Sequence, residues 1–131
     1  MAQDERQPRG TLQVRTIAMP ADTNPSGDIF GGWVLSQMDI AGGTAAAQHA
    51  KGRVATVGVE AMTFHKPVKV GDILCCYASF EKQGTTSLTY KIEAWAIRSG
   101  EYHLDEVLVT EGQFTFVALD GNGRKRKLEN S

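Results

Sequence analysis

Only one stretch of this 131-residue chain has helical periodicity, and it is set among runs that read as strands. In Gly32–Ala50, the residues Val34, Leu35, Met38, Ala41, Ala45 and Ala46 recur at helical spacing, and the alanines favour helix. A lone helix cannot bury its own apolar stripe, so a sheet must cover it. Thr11–Ala18, Arg53–His65, Gly71–Lys82, Thr85–Arg98 and His103–Leu119 supply that sheet. Each is rich in Val, Ile, Thr or aromatics and is bounded by Gly, Pro, Asp or Ser turn signals. The alternation is clearest in the fourth run. Leu88, Tyr90, Ile92, Ala94 and Ala96 share one face, and Thr89, Lys91 and Glu93 share a partly wet one. The expected fold is α+β: an antiparallel meander wrapped round one long helix.

Two further features qualify that picture. Gly42 and Gly43 each cost the helix about 1 kcal/mol relative to alanine, which suggests that something packs closely against the backbone there. Trp95 and Ile97 fall on the otherwise polar face of the sheet, and edge strands invite pairing, so self-association is expected.

A chain of this length, 41% hydrophobic, builds one domain. We assign residues 11–119 to it, with residues 1–10 as a flexible N-terminal segment and 120–131 as a flexible basic tail. A net charge of -1 gives no global attraction to nucleic acid or to a membrane surface. No run approaches the ~18 apolar residues of a spanning helix, and the first ten residues lack an apolar leader core, so a cytoplasmic protein is expected. The two cysteines, Cys75 and Cys76, are adjacent, point to opposite faces of a strand and read as buried thiols. His49, His65 and His103 have no metal-ligand spacing, so no metal is expected. No Gly-x-Ser-x-Gly elbow is present either.

The chemistry concentrates in Asp22-Thr23-Asn24-Pro25-Ser26-Gly27-Asp28-Ile29-Phe30-Gly31-Gly32-Trp33, which runs into the helix. Gly31 and Gly32 let N–H groups at the helix start approach a ligand, where the dipole favours negative charge; this is how an oxyanion hole is made. Asp39, flanked by Met38 and Ile40, is the one carboxylate within the apolar helix and the best candidate base. It lies seven to eight residues beyond the glycines, ~10–12 Å along the axis, whereas a base acts at ~3 Å. One helix therefore cannot serve one carbonyl with both groups. Two helices antiparallel across a dimer interface would give two equivalent composite sites.

These segments, with Met38-Asp39-Ile40-Ala41, Met62-Thr63-Phe64 and Gly84-Thr85-Thr86-Ser87, resemble the hotdog-fold acyl-CoA thioesterases. The likeness is to the small bacterial broad-specificity hydrolases related to tandem-hotdog cytosolic enzymes, and it extends over roughly residues 11–119. It implies a five-stranded antiparallel sheet around a central helix, dimers that assemble as trimers of dimers into hexamers, and hydrolysis of acyl-CoA. It also implies that Asp39 is the catalytic carboxylate, that Asn24 positions water or substrate from across the interface, and that Gly31 or Gly32 supplies the oxyanion N–H. Asp39 would act as general base on water or as a nucleophile forming an anhydride. No cofactor is expected beyond coenzyme A as part of the substrate.

Arg53, His65 and Lys66, with the hydroxyls of Thr85, Thr86 and Ser87, are candidate contacts for CoA phosphates. The competing readings are an ordinary strand end at His65-Lys66 and a plain hairpin turn at Gly84–Ser87. The run Arg124-Lys125-Arg126-Lys127 is a solvated tail or a further phosphate contact. Two other functions compete. Thioester dehydration or hydration would want an active-site histidine, and none occupies the helix-start motif; a non-catalytic acyl-CoA or RNA-binding module would use the pocket or the tail without turnover.

Overall fold

The computed structural model describes residues 6–98, 100 and 105–129. Strand β1 (Thr11–Ile17) leads through a 3-10 turn (Pro20–Asp22) to helix α1 (Gly31–Ala50). Strands β2 (Val54–Phe64), β3 (Ile73–Gln83), β4 (Ser87–Ile97) and β5 (Val107–Ala118) follow. His103, placed by the sequence reading at the start of the last strand, lies outside the described residues. All neighbouring strands are antiparallel. The expected α+β architecture, one helix embraced by a five-stranded antiparallel sheet, is the one observed, and it is the hotdog arrangement.

The strand order corrects the simple meander. It runs β1-β3-β4-β5-β2, so only β3, β4 and β5 follow one another in space. The helix explains the difference. Its 20 residues span ~30 Å, whereas five strands span only ~19 Å across the sheet. A chain that leaves β1 and follows α1 obliquely across the sheet emerges beyond β5, where β2 adds to the far edge. The return to β3 then crosses under the helix start, with Ile29 N–H bonded to Val68 O at 3.0 Å.

The predicted inward face of β4 is the core. Leu88, Tyr90, Ile92, Ala94 and Ala96 are buried with Met38, Ala41 and Ala46 of α1, Phe114 and Phe116 of β5, and Leu74 and Cys76 of β3. At Gly42 the helix packs tightly on the sheet: a Cβ there would stand 2.7 Å from the Phe116 ring. Gly43 borders no such contact, its nearest side-chain atom being 3.8 Å away. Both cysteines are free and buried, and burial pushes the Cys76 thiol up to about 12.

The outer face is drier than expected. Trp95 is 2% exposed and Ile97 3%, so neither is available as a free apolar patch. Residues 6–10, read from sequence as flexible, lie over this face. Arg6 pairs with Glu93 at 3.0 Å and with Glu111 at 3.1 Å, while the Arg9 N–H and the Trp95 indole N–H both donate to Glu93. One group of exposed apolar side chains lies on edge strand β2 (Val57, Val59, Phe64) and on the helix and its approach (Ile40, Phe30); others lie on and after edge strand β1 (Leu12, Ile17, Met19) and at Val70 and Phe80.

The tail also departs from its expected freedom. The Asp120 carboxylate accepts the N–H groups of Asn122 and Arg124, both at 2.9 Å, and turns the chain back so that Lys125 bridges to Leu119. Arg126 donates to Ala50 O at the C-terminus of α1, and Leu128 packs on the core. A cationic side chain on a helix's last carbonyls satisfies acceptors that the helix cannot. No helix among the described residues is long and apolar enough to cross a membrane.

Candidate active site

The loop ahead of α1 is organised by Asn24. Its Oδ1 accepts the N–H groups of Ser26 (2.9 Å) and Asp28 (3.1 Å), while its own N–H donates to Asp28 O. Gly27 sits at φ 86, a conformation that a side chain disfavours. An ion pair from Lys69 to Asp28 ties this loop to the crossover before β3. With Oδ1 committed to the loop, the side-chain amide nitrogen is the donor that Asn24 can offer elsewhere.

The helix then begins without a side-chain cap, Phe30 standing at the N-cap. The N–H groups of Gly31 and Gly32 precede the first intrahelical bonds, and a Cβ at Gly32 would meet nothing within 4 Å. Gly31 lies under the Phe64 ring, 3.5 Å from where a Cβ would be. Among the described residues neither N–H has a hydrogen-bond acceptor, and both stand at the positive end of a 20-residue helix, Gly31 beside Phe64 and Gly32 uncovered.

Two turns further on, Asp39 projects toward the edge strand, where the Thr56 hydroxyl donates to its Oδ1 at 2.6 Å. It borders an open groove of about 460 Å³ lined also by Gly43, Ala47, Arg53, Val54 and Phe116. Thr56 is the functional candidate that the sequence reading missed. The available signal was a hydroxyl two residues after Val54, hence on the same face of the strand; that this exposed side chain meets Asp39 depends on how the strand lies against the helix.

The remaining candidates divide between opposite ends of β2. Arg53 stands at the start, in the groove. Thr85, Thr86 and Ser87 lie near that end, in the β3–β4 turn closed by Gly84 N–H to Ser87 O, and Thr86 O accepts Ala118 N–H. His65 and Lys66 follow the end of β2, eleven strand residues away, and the His65 ring contacts Glu111 at 2.7 Å on the outer face. One chain does not bring all six together. Nor does it bring Asn24 into hydrogen bonding with Asp39 among the described residues. No group of three or more His, Cys, Asp or Glu side chains is placed there to hold a metal ion.

A family model described as the thioesterase superfamily matches residues 26–102, from Ser26 in the loop before the helix to just past β4. The chain belongs to the thioesterase superfamily. Within that family it is 52% identical over 122 residues to the acyl-CoA thioester hydrolase YciA of Salmonella typhimurium, covering 92% of each chain. The fold superposes on the hexameric thioesterase y2039 of Yersinia pestis with a TM-score of 0.90 at 50% identity, over 95% of this chain and 100% of that one. It also superposes on HI0827, a hexameric broad specificity acyl-coenzyme A thioesterase. That TM-score is 0.88 at 48% identity, over 96% and 86% of the two chains.

Proposed function

We propose that this thioesterase-superfamily chain hydrolyses acyl-CoA to a free carboxylic acid and CoA, with Asp39 as the catalytic carboxylate. The observation that carries the reading is the Asp39–Thr56 pair. It is a carboxylate held by one short hydrogen bond in a groove, with its second oxygen left for water, on the helix whose first N–H groups are unoccupied. Water deprotonated by Asp39 attacks the thioester carbon. The carbonyl oxygen takes up negative charge against the Gly31 or Gly32 N–H, and the C–S bond breaks to release the thiolate of CoA. Asn24 donates from its amide nitrogen to water or substrate. The names and about 50% identity of the relatives support CoA as the carrier.

The separation of Asp39 from the glycines supports a site assembled from two chains. The exposed Val57, Val59, Phe64, Phe30 and Ile40 supply an apolar edge and helix flank for a second copy, in dimers that assemble further as in the hexameric relatives. Free-thiol release from acyl-CoAs of several chain lengths, measured for wild type and Asp39→Ala, tests the reading. Turnover lost by ~10²-fold or more in a variant of unchanged assembly is the expected result. An absence of turnover by wild type on every acyl-CoA would overturn it. Label in the Asp39 carboxylate after a single turnover in H₂¹⁸O would establish the anhydride route.

A further inference from the structure

We propose that the folded C-terminal strap, residues 119–129, is an anion site that receives the phosphates of the CoA nucleotide and so selects CoA over a bare pantetheine thioester. The inference rests on the acyl-CoA reading of the Asp39 groove and extends it to a segment that reading leaves without a role.

The strap is built rather than draped. Asp120 closes its turn, Arg126 spans Ala50 O and Leu119 O, Leu128 N–H donates to Thr85 O at 2.8 Å, and Gln83 reaches Glu129 O. Those bonds fix its position at one end of the groove. Leu119 N–H donates to the carbonyl of Arg53, the cationic residue that lines the groove with Asp39, and Ala118 N–H donates to Thr86 O. The start of β2, the β3–β4 turn and the strap thus converge there.

Charge is segregated at this end of a molecule whose net charge is only -1. Lys51, Arg53, Arg124, Lys125 and Lys127 are all exposed, against the carboxylates of Asp120 and Glu129. Asp120 spends its carboxylate on the turn's own N–H groups, which hold it below its ordinary range. Arg126 alone of the run is consumed by structure. The side chains of Arg124, Lys125 and Lys127 make no hydrogen bond or ion pair among the described residues, so a fixed scaffold presents cations that stabilise nothing in the fold. Clustered arginine and lysine suit phosphate, and a pyrophosphate with a further ribose phosphate carries the charge to match them. Pantetheine carries none.

The test compares wild type with the triple variant Arg124→Ser, Lys125→Ser, Lys127→Ser, which spares Arg126. One acyl-CoA and the matching acyl-pantetheine are used as substrates, and adenosine 3′,5′-bisphosphate as a calorimetric ligand. The expected result is a KM for acyl-CoA raised about tenfold or more with kcat kept, acyl-pantetheine kinetics within about twofold of wild type, and bisphosphate binding lost. Unchanged KM and unchanged bisphosphate binding would overturn the proposal, as would an equal loss on both substrates, which marks a structural role. If wild type binds the bisphosphate, the variant does not, and neither thioester is cleaved, the anion site stands and the hydrolase reading falls.

Discussion

At the scale of single residues, the hydroxyl of Thr56 decides where the Asp39 carboxylate points. A hydrogen bond to a charged group contributes about 1.5–3 kcal/mol, so its loss at the reacting carboxylate is worth roughly 10- to 100-fold in rate. Thr56→Val is therefore expected to lower kcat by that factor with KM unchanged, and Thr56→Ser to restore most of it. Steady-state kinetics on the two variants decide the matter, because a rise in KM at constant kcat would make Thr56 a substrate contact instead. A second residue-scale constraint lies in the bulge of β2, where Ala61 adopts φ 54 and Met62 folds over Gly112. A Cβ on Gly112 would fall 2.1 Å from Met62 Sδ, far inside contact distance. Overpacking costs about 1–3 kcal/mol where the neighbour is held, and the flexible Met62 thioether can swing aside, so Gly112→Ala should lower the denaturation midpoint toward the small end of that range. Combining it with Met62→Ala should recover part of the loss; simple additivity in the double-mutant cycle would exclude the clash as the cause.

At the scale of elements, α1 shows two opposed effects at neighbouring positions. Alanine in place of glycine favours a helix by about 1 kcal/mol. At Gly42 the new methyl would sit 2.7 Å from one Phe116 ring carbon and 3.1 Å from Ile92 Cδ1, and that collision wins; at Gly43 the nearest atom is 3.8 Å away and nothing opposes the gain. Gly42→Ala should thus destabilise and Gly43→Ala stabilise, as read by urea denaturation, and equal effects would show that helix propensity alone governs both sites. The sequence reading could not separate these glycines, because the distinction depends on which of them meets Phe116, more than seventy residues away. The same cause divides the rest of the fold into readable and unreadable parts. The inward face of β4 is written in neighbours two residues apart, and the helix in neighbours three and four apart. The pairing of β2 with β5 follows from how far α1 carries the chain across the sheet, and the burial of Trp95 accompanies the packing of residues 6–10, distant in sequence, over the outer face. In the site, Asp39 and the glycine pair were visible as residue types in a motif, whereas Thr56 depended on the register of a strand against a helix. The basic run was visible as charge, but its turn through Asp120 and its anchor at Arg126 were not.

At the scale of the whole molecule, the outer face makes folding sensitive to acid. The Arg6 hydrogen bond, then Lys91 and His65, hold the Glu111 carboxyl down to about 2 from an ordinary 4.5. Between those values the unfolded chain binds the proton and the folded one does not, so stability rises with pH there. The contribution, about 3 kcal/mol at most, is complete above pH ~4.5 and lost as pH falls toward 2. Glu111→Gln should flatten that part of a stability-versus-pH curve, and parallel curves for variant and wild type would assign the acid sensitivity elsewhere. Assembly makes a different demand on the active site. If Asp39 of one chain serves the glycine N–H groups of another, two inactive variants can repair each other. Asp39→Ala spoils one contribution, and Asn24→Ala, on the loop before the glycines, spoils the other. In a randomly mixed pair half the dimers are heterodimers. Each of these holds one site with both defects and one with neither, so refolding the two variants together should recover about a quarter of wild-type activity. A site contained within one chain would recover none, since each subunit would keep its own defect whatever its neighbour.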